Sequence, residues 1–295
     1  MHTSSLRHPF VPALLDFNPA SLSCHMPTAP LPLQRPGLSA CIIAFNEADR
    51  IGDCVDSLSF CDEVIVVDSF STDATAAVAQ AAGARVIQRP FKGFREQKDF
   101  AVRQAANDWV LCLDADERVS PRLRVAIEAE RDAGFTRVAG YRFARLSEYF
   151  GRLLRHGNTY PDRVLRLFDR RRGGWRGNRE IHEAVSVDGK TVTLPGDLLH
   201  YQYRSFDQQL VKLQRYAKMM AEHEFAHGKR ASLPKLVLSP AWRFWRGYVL
   251  RLGFMDGWPG LVEAYVSANY ARQKVIMLWM LETGLAVTDP PSDQP

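Results

Sequence analysis

The sequence predicts an α/β fold built on a mostly parallel sheet, and three observations carry that prediction. Short apolar runs of strand length alternate with helical patterns from Leu38 to the helix opened by Pro121. The runs are near-continuous in Val, Ile, Leu and Cys, as in strands covered on both faces. Each run also stops abruptly at polar residues, and strands joined through helices pair in parallel through right-handed crossovers.

Met1 to Gly37 is rich in Pro, Ser and His and shows no sustained period. It is expected to be a flexible leader, lacking the basic start and unbroken apolar core of a signal peptide, with Met26 as an alternative start. Cys41-Ile42-Ile43-Ala44-Phe45 is the first strand and stops at Asn46-Glu47; the helix after it has Ile51, Val55 and Leu58 as its inward stripe. Val64 to Val67 is the second strand, ending at Asp68-Ser69-Phe70-Ser71-Thr72-Asp73. Thr72 or Ser71 is expected to cap the Ala-rich helix that reaches Ala82, with Gly83 terminating it. Arg85-Val86-Ile87 is a short third strand, and Phe94 to Ala106 an amphipathic helix containing Lys98. Trp109 to Leu113 is the central strand, and Ser120-Pro121 opens the next helix with Pro in its first turn.

The central strand runs into Asp114-Ala115-Asp116-Glu117. In an extended segment the two aspartates share a face, because side chains alternate with period two. Two carboxylates so placed repel unless a positive charge lies between them. Oxygen ligands of this kind suit Mg²⁺ or Mn²⁺, which binds a few carboxylates together with substrate phosphates. Ligands of open α/β sheets bind outside the carboxyl ends of strands, where this pair lies.

At 295 residues the chain can bury a large core, and its 46% hydrophobic and 24% charged content is that of a globular protein. A net charge of +5 and a pI near 9.0 favour anionic partners. The five cysteines lack metal-ligand spacing, and Cys41 and Cys112 read as buried free thiols of a reducing compartment.

Ala44-Phe45-Asn46-Glu47, Asp68-Ser69-x-Ser71-Thr72-Asp73 and Leu113-Asp114-Ala115-Asp116-Glu117, each at a strand end and in this order, resemble the signature of inverting family 2 glycosyltransferases with the GT-A fold. The branch most similar builds the lipopolysaccharide core, the WaaE-like β-1,4-glucosyltransferase group. The resemblance covers Leu38 to the C-terminal helices. It implies that the first strand end (Ala44, Phe45, Glu47) and Asp68 hold the uridine base, that Asp114 lies near ribose, and that Asp116 binds the metal bridging the diphosphate. Lys98 joins the candidate nucleotide-binding residues. The implied donor is a nucleoside diphosphate sugar, a UDP-hexose in this branch, and the implied acceptor a cell-envelope saccharide. The physical reading agrees: one carboxylate accepts hydrogen bonds from ribose or base while another anchors a cation that neutralises the leaving diphosphate.

Tyr141 to Arg179 is rich in arginine and poor in acids, a surface suited to a phosphorylated or acidic-sugar acceptor, an anionic glycolipid or oligosaccharide. Gly173-Gly174-Trp175-Arg176-Gly177 reads as a tight loop in which Trp175 stacks on a sugar face. An inverting transfer needs a carboxylate to take the acceptor's proton. The resemblance places that base at Glu183, with Glu180 as the nearer competitor and Asp188 as the weaker one. It also offers His200, at the end of an apolar run, as a second metal ligand, the other reading being a structural histidine.

His223-Glu224-Phe225-Ala226-His227 spells the zinc-protease pattern H-E-x-x-H, so a zinc hydrolase is the alternative enzyme. Gly228-Lys229-Arg230 ends that helix at once, and no companion feature accompanies the motif. From Phe206 to Glu282 the chain is helical and basic: Arg243, Arg246 and Arg251 interleave with Trp242, Trp245 and Trp258, a composition that fits an anionic membrane interface. Val275, Ile276, Leu278, Trp279 and Leu281 are assigned to packing. Aromatic-plus-basic composition also admits a non-enzymatic nucleic-acid binder, but no nucleic-acid module is recognisable and no such partner is expected. The expected organisation is a leader (1–37), a catalytic α/β GT-A domain (38–205) and a helical extension (206–295), peripheral on the cytoplasmic face of the inner membrane.

Overall fold

The computed structural model describes residues 35–176 and 184–285. Its first half is the alternating pattern: β1 (Leu38–Ala44), α1 (Ile51–Asp56), β2 (Glu63–Asp68), α2 (Thr75–Ala81), β3 (Arg85–Gln88), α3 (Phe94–Arg103) and β4 (Trp109–Asp114). The four strands lie in the order β3-β2-β1-β4 and pair in parallel, with Cys41 of β1 opposite Ile65 on one side and Cys112 on the other. Period-two alternation then splits each strand between two cores. Ala40, Ile42, Leu111 and Leu113 pack on Ile51 and Val55 of α1, on Leu58 just after it and on Ala79 of α2, whereas Cys41, Val110 and Cys112 pack on Ala101 and Val102 of α3.

The second half turns the sheet mixed. β5 (Glu117–Val119) and α4 (Pro121–Asp132) precede β6 (Gly140–Tyr149), β7 (Arg152–Leu153), β8 (Asp162–Asp169), β9 (Gly173–Arg176), β10 (Ala184–Val187) and β11 (Thr191–His200). Beyond β4 the order is β8-β6-β11-β5, with β8 antiparallel to both its neighbours and β11 parallel to β6. Ser120 caps α4 as expected, its Oγ accepting from the Leu123 N–H at 3.3 Å. The start of α2 differs from expectation: Asp73 accepts from the Thr75 N–H at 2.9 Å, while Ser71 and Thr72 bond to the loop after β1 instead. α3 stops at Arg103, three residues short of the expected Ala106.

Three helices complete the chain: α5 (Phe206–Ala226), α6 (Leu233–Trp245), and α7 (Gly257–Glu282), the last two joined through a π-helical turn at Arg246–Leu250 and a 3₁₀ turn at Gly253–Asp256. Ala217 and Ala221 of α5 meet Met277 and Leu278 of α7 in a small core. Val275 and Leu278 point inward as expected, but Ile276 and Trp279 are exposed. Polar contacts tie the helices to the sheet: Tyr149 O–H donates to Gln209 at 2.7 Å, and the His156 N–H to Asp256 at 2.8 Å. Among the described residues no helix is long and apolar enough to cross a membrane.

Candidate active site

Loops at the carboxyl ends of β1, β2 and β4 converge on one edge of the sheet. The loop after β1 turns at Asn46, which has a left-handed φ of 53°. Its N–H donates to Ser71 Oγ at 2.9 Å and its side-chain oxygen accepts from the Thr72 N–H at 2.9 Å, while the Glu47 N–H donates to Thr75 Oγ1 at 2.8 Å. Ala44 is buried at the strand end, and Phe45 and Glu47 are half-buried beyond it. Asp68 is fully buried, bonded through one oxygen to the Ser71 hydroxyl and through the other to the Ser71 N–H at 3.1 Å. Its carboxylate therefore shapes the loop that faces the site, the turn-forming role its sequence position also allows.

Asp114 ends β4, Asp116 lies in the short turn before β5, and the two have different neighbours. Lys98 of α3 brings Nζ to 2.9 Å from Asp114 Oδ1, and Arg166 of β8 brings Nη2 to 2.8 Å from Oδ2. The same Nη2 lies 2.9 Å from Oε1 of Glu117, which is fully buried and whose other oxygen accepts from the Asp114 N–H at 3.0 Å. Burial alone raises the Asp114 carboxyl, but the charges of Lys98 and Arg166 outweigh it and hold the group well below the usual carboxylate range. Asp114 is thus a carboxylate already neutralised by two cations.

Asp116 has no such clamp. The imidazole of His200, which ends β11, brings Nε2 to 3.4 Å from Asp116 Oδ2. Burial pushes the Asp116 carboxyl up, and His200 outweighs that and lowers it. The register of β11 makes this meeting: His200 lies opposite Glu117 of β5, and the Tyr201 N–H donates to the Asp116 carbonyl at 2.9 Å. A carboxylate and an imidazole at this separation fit a hard divalent cation, whose adjacent ligands at ~2.1 Å stand about 3 Å apart. Among the described residues no third His, Cys, Asp or Glu joins them into a metal cage, which leaves coordination positions for phosphate oxygens and water.

A residue from beyond the sheet closes the opposite side. Arg204, in the linker from β11 to α5, reaches Glu47 Oε2 at 2.6 Å, Asp49 Oδ1 at 2.7 Å and the Asn46 carbonyl at 3.0 Å. Burial, opposed by Arg204, raises the Glu47 carboxyl to about 7. Next to Arg204 a cleft of about 250 Å³ opens, lined by Tyr149, Phe150, Tyr203, Phe206 and Gln209.

Glu183 and Glu180 lie outside the described residues; Asp188 follows β10. The strands flanking Glu183 are described: Arg176 pairs with Ala184, and Trp175 with Val185. The expected loop at Gly173 to Arg176 is therefore strand β9. Trp175 is buried in the core against α3 and offers no open sugar platform, with Lys98 Nζ 4.6 Å above its ring. Much of the arginine-rich segment is spent internally: Arg145 on Asp162 and Glu117, Arg166 on Asp114 and Glu117, Arg170 on the Val102 and Ala105 carbonyls and Arg171 on Asp169 and Asp108. In the zinc-like motif His223 and His227 stack ring on ring at 4.2 Å, and Glu224 is held by Lys274 at 2.9 Å. A zinc hydrolase needs that carboxylate free as its base, so the alternative finds no support in the geometry.

Arg166 and Glu117 were not singled out as site residues by sequence reasoning. The signal was present: a charged residue flanked by Leu165 and Leu167 inside a strand run marks a buried pair. Arg204 carries no local signal, since its partners are more than 150 residues away.

A parallel half-sheet that presents an acid pair and two polar loops at one edge, followed by a mixed half that returns a histidine to that edge, defines an α/β enzyme of GT-A type. Comparison with known proteins agrees: the family model described as glycosyl transferase family 2 matches residues 39–184. The lipopolysaccharide core biosynthesis glycosyltransferase LpsC of Rhizobium meliloti is 35% identical over 240 residues, which cover 79% of this chain and 88% of that protein. An uncharacterized glycosyltransferase of Rickettsia felis is 33% identical over 257 residues, covering 80% and 86%. Among solved structures, the mannosyltransferase PcManGT of Pyrobaculum calidifontis, in complex with GDP-Man and Mn²⁺, aligns with a TM-score of 0.49 at 16% identity, over 85% of this chain and 89% of its own. The chain belongs to glycosyl transferase family 2 and is a glycosyltransferase.

Proposed function

We propose that the protein transfers a hexose, with inversion, from a nucleoside diphosphate sugar (a UDP-sugar) to an acidic saccharide of the cell envelope, the lipopolysaccharide core, at the cytoplasmic face of the inner membrane. The observation that carries this reading is the unequal treatment of the two aspartates. Asp114, clamped by Lys98 and Arg166, is fixed in place as a hydrogen-bond acceptor for ribose. Asp116, whose ion-pair contact among the described residues is His200, is the carboxylate left to hold Mg²⁺ or Mn²⁺. When bound, the cation neutralises the diphosphate that leaves. Ala44, Phe45, Glu47 and the loop shaped by Asp68 form the cradle for the base. The named role of the Rhizobium meliloti relative supports the acceptor class.

In the transfer the acceptor oxygen attacks the anomeric carbon, the bond from that carbon to the diphosphate breaks, and the acceptor's proton passes to Glu183. Glu183 adjoins Ala184, whose strand β10 pairs with β9, and Trp175 of β9 covers Lys98 at the acid pair. Two variants test the scheme. Asp116→Ala is expected to abolish transfer and the metal-dependent part of nucleotide binding while the protein stays folded. Glu183→Gln is expected to lower kcat by about 10²–10⁴-fold and leave donor affinity unchanged. Normal turnover by Asp116→Ala at limiting metal refutes the metal assignment, and a dead Glu180→Gln beside an active Glu183→Gln moves the base to Glu180.

A further inference from the structure

We propose that the outward face of α6, continued through the turn before α7, is the surface on which this protein docks to an anionic lipid bilayer, lying in its interface without crossing it. The inference specifies the membrane contact assumed in the functional reading above, but it rests on surface chemistry and its test does not need transfer.

The face is apolar at helical spacing. Leu233 and Val237 stand four apart, and Leu238, Trp242 and Trp245 four and three apart, and each of the five is between 54% and 64% exposed. A helix of a globular protein turns such a stripe inward. Here the stripe points out. Beyond α6, Leu252, Phe254, Met255 and Trp258 extend the patch, all exposed. Scattered surface apolar residues need no explanation, but so many large exposed ones between residues 233 and 258 mark an interaction site.

Among the described residues no element covers the patch. α6 already packs on α7 through its other side, where Arg243 Nε donates to Ser267 Oγ at 2.7 Å and its guanidinium lies 5.5 Å from the Tyr270 ring centre. Arg243 is therefore turned inward, contrary to its expected place at the membrane. The turn is fixed as well: Asp256 accepts from the His156 N–H at 2.8 Å, Asn158 Nδ2 donates to the Arg243 carbonyl at 3.1 Å, and the Gly157 N–H donates to the Arg251 carbonyl at 3.0 Å. These bonds hold the patch rigidly to the sheet.

Charge identifies the occupant. From Gly228 to Met255 the sequence has six basic residues and no acidic one. Arg230, Lys235 and Arg251 are exposed on this stretch, while Lys229 pairs with Glu224 at 3.5 Å. Apolar and indole side chains in the centre with cations at the margin match the acyl boundary and headgroups of an anionic leaflet. A nucleic acid would meet the cations but leave the apolar stripe in water, and a protein partner would give the one-signed rim no special purpose. The docking also orients the enzyme. Trp258 belongs to the patch, and its ring is 5.3 Å from that of Phe150, which lines the cleft beside Arg204. A saccharide anchored in the same leaflet reaches that cleft without leaving the lipid surface.

The test is co-sedimentation of the full chain with vesicles of phosphatidylcholine alone or mixed with phosphatidylglycerol. The parent is expected to bind the anionic vesicles, and lipids brominated in their acyl chains are expected to quench its tryptophan fluorescence. Lys235→Gln/Arg251→Gln is expected to weaken anionic binding by roughly 25-fold, about fivefold per charge, and to leave neutral binding unchanged. Leu238→Gln/Trp242→Gln/Trp245→Gln, with an unaltered circular dichroism spectrum, is expected to lose binding to both vesicle types and the quenching. Folded variants that bind like the parent overturn the proposal, as does a parent dimer that these substitutions dissociate, which makes the face an interface between copies. Failure of the functional reading is separate: a protein that binds vesicles normally but transfers no sugar to a lipopolysaccharide-core acceptor, lipid-anchored or acyl-free, refutes the proposed acceptor and leaves the docking surface standing.

Discussion

Arg166→Met removes the cation that joins the two buried carboxylates of the site and is the sharpest probe of its design. A single Nη2 serves Asp114 at 2.8 Å and Glu117 at 2.9 Å, and the guanidinium is 94% buried. At an effective dielectric constant near 20, each such pair is worth about 4 kcal/mol of attraction, most of it offset by the desolvation of the charges. Removing only the cation leaves that desolvation uncompensated, which costs about 3–5 kcal/mol at buried pairs. The lower end applies here, because Asp114 keeps Lys98 at 2.9 Å and Glu117 keeps Arg145 at 3.5 Å. A loss of about 3 kcal/mol lowers Tm by roughly 6–12 °C in a domain of this size, readable by calorimetry. Glu117→Gln/Arg166→Met, which removes an anion with the cation, is expected to cost less than the sum of its single substitutions. If Arg166→Met melts within about 1 kcal/mol of the parent, the ion triad does not organise the site and the argument fails.

Two further predictions concern the frame around the site. Glu263 of α7 is buried beside Asp256 and Arg243, and burial raises its carboxyl from 4.5 to about 7. Between those values the folded protein keeps a proton that the unfolded chain releases, so this group's contribution falls as pH rises, by about 3 kcal/mol across the window. Glu263→Gln is expected to flatten that slope in urea unfolding between pH 4.5 and 8, and an unchanged slope refutes the assignment. Gly196 has a φ of 100° at the bulge of β11, and a Cβ there would lie 2.5 Å from the backbone nitrogen of Leu123. Gly196→Ala is expected to destabilise by about 2 kcal/mol or more and to weaken metal binding, because the bulge sets the register that brings His200 to Asp116; a variant with parental Tm and metal affinity contradicts this.

The parallel half of the fold was legible because each strand is covered on both faces and each helix shows an inward stripe, so the pattern is local. β1, β2 and β4 fall where the runs of Cys41, Val64 and Trp109 place them. The second half was not legible as strands. β8 reads Asp-Arg-Val-Leu-Arg-Leu-Phe-Asp, and its arginines suggested a surface, although Arg166 is buried by partners 49 and 52 residues away. Gly173 to Arg176 looked like a loop because glycine is common in turns, but Gly173 packs so tightly on Val187 that a Cβ would meet its Cα at 2.8 Å. The acid pair and the histidine were each visible alone. Their meeting was implied only by the family resemblance and not by any local pattern, since it depends on a bulge and on a strand pairing between residues about 80 apart.

The same consideration explains why two aspartates one residue apart acquire different environments. Sequence alone makes them equivalent: both follow a buried strand and both are acids on a sheet edge. The difference is imposed by elements that arrive from elsewhere. α3 and β8 flank β4 and deliver Lys98 and Arg166 to its last residue, Asp114. β5 turns away to pair with β11, so the residue just before β5, Asp116, meets what ends β11, namely His200. A carboxylate with two permanent cations gains little from a third positive charge, whereas one facing a single imidazole still has lone pairs to give. The topology therefore separates the two environments, and Glu117 supports the division by sharing Arg166 Nη2 with Asp114. Sequence placed the chemistry at this edge; the sheet order decides which acid holds which partner.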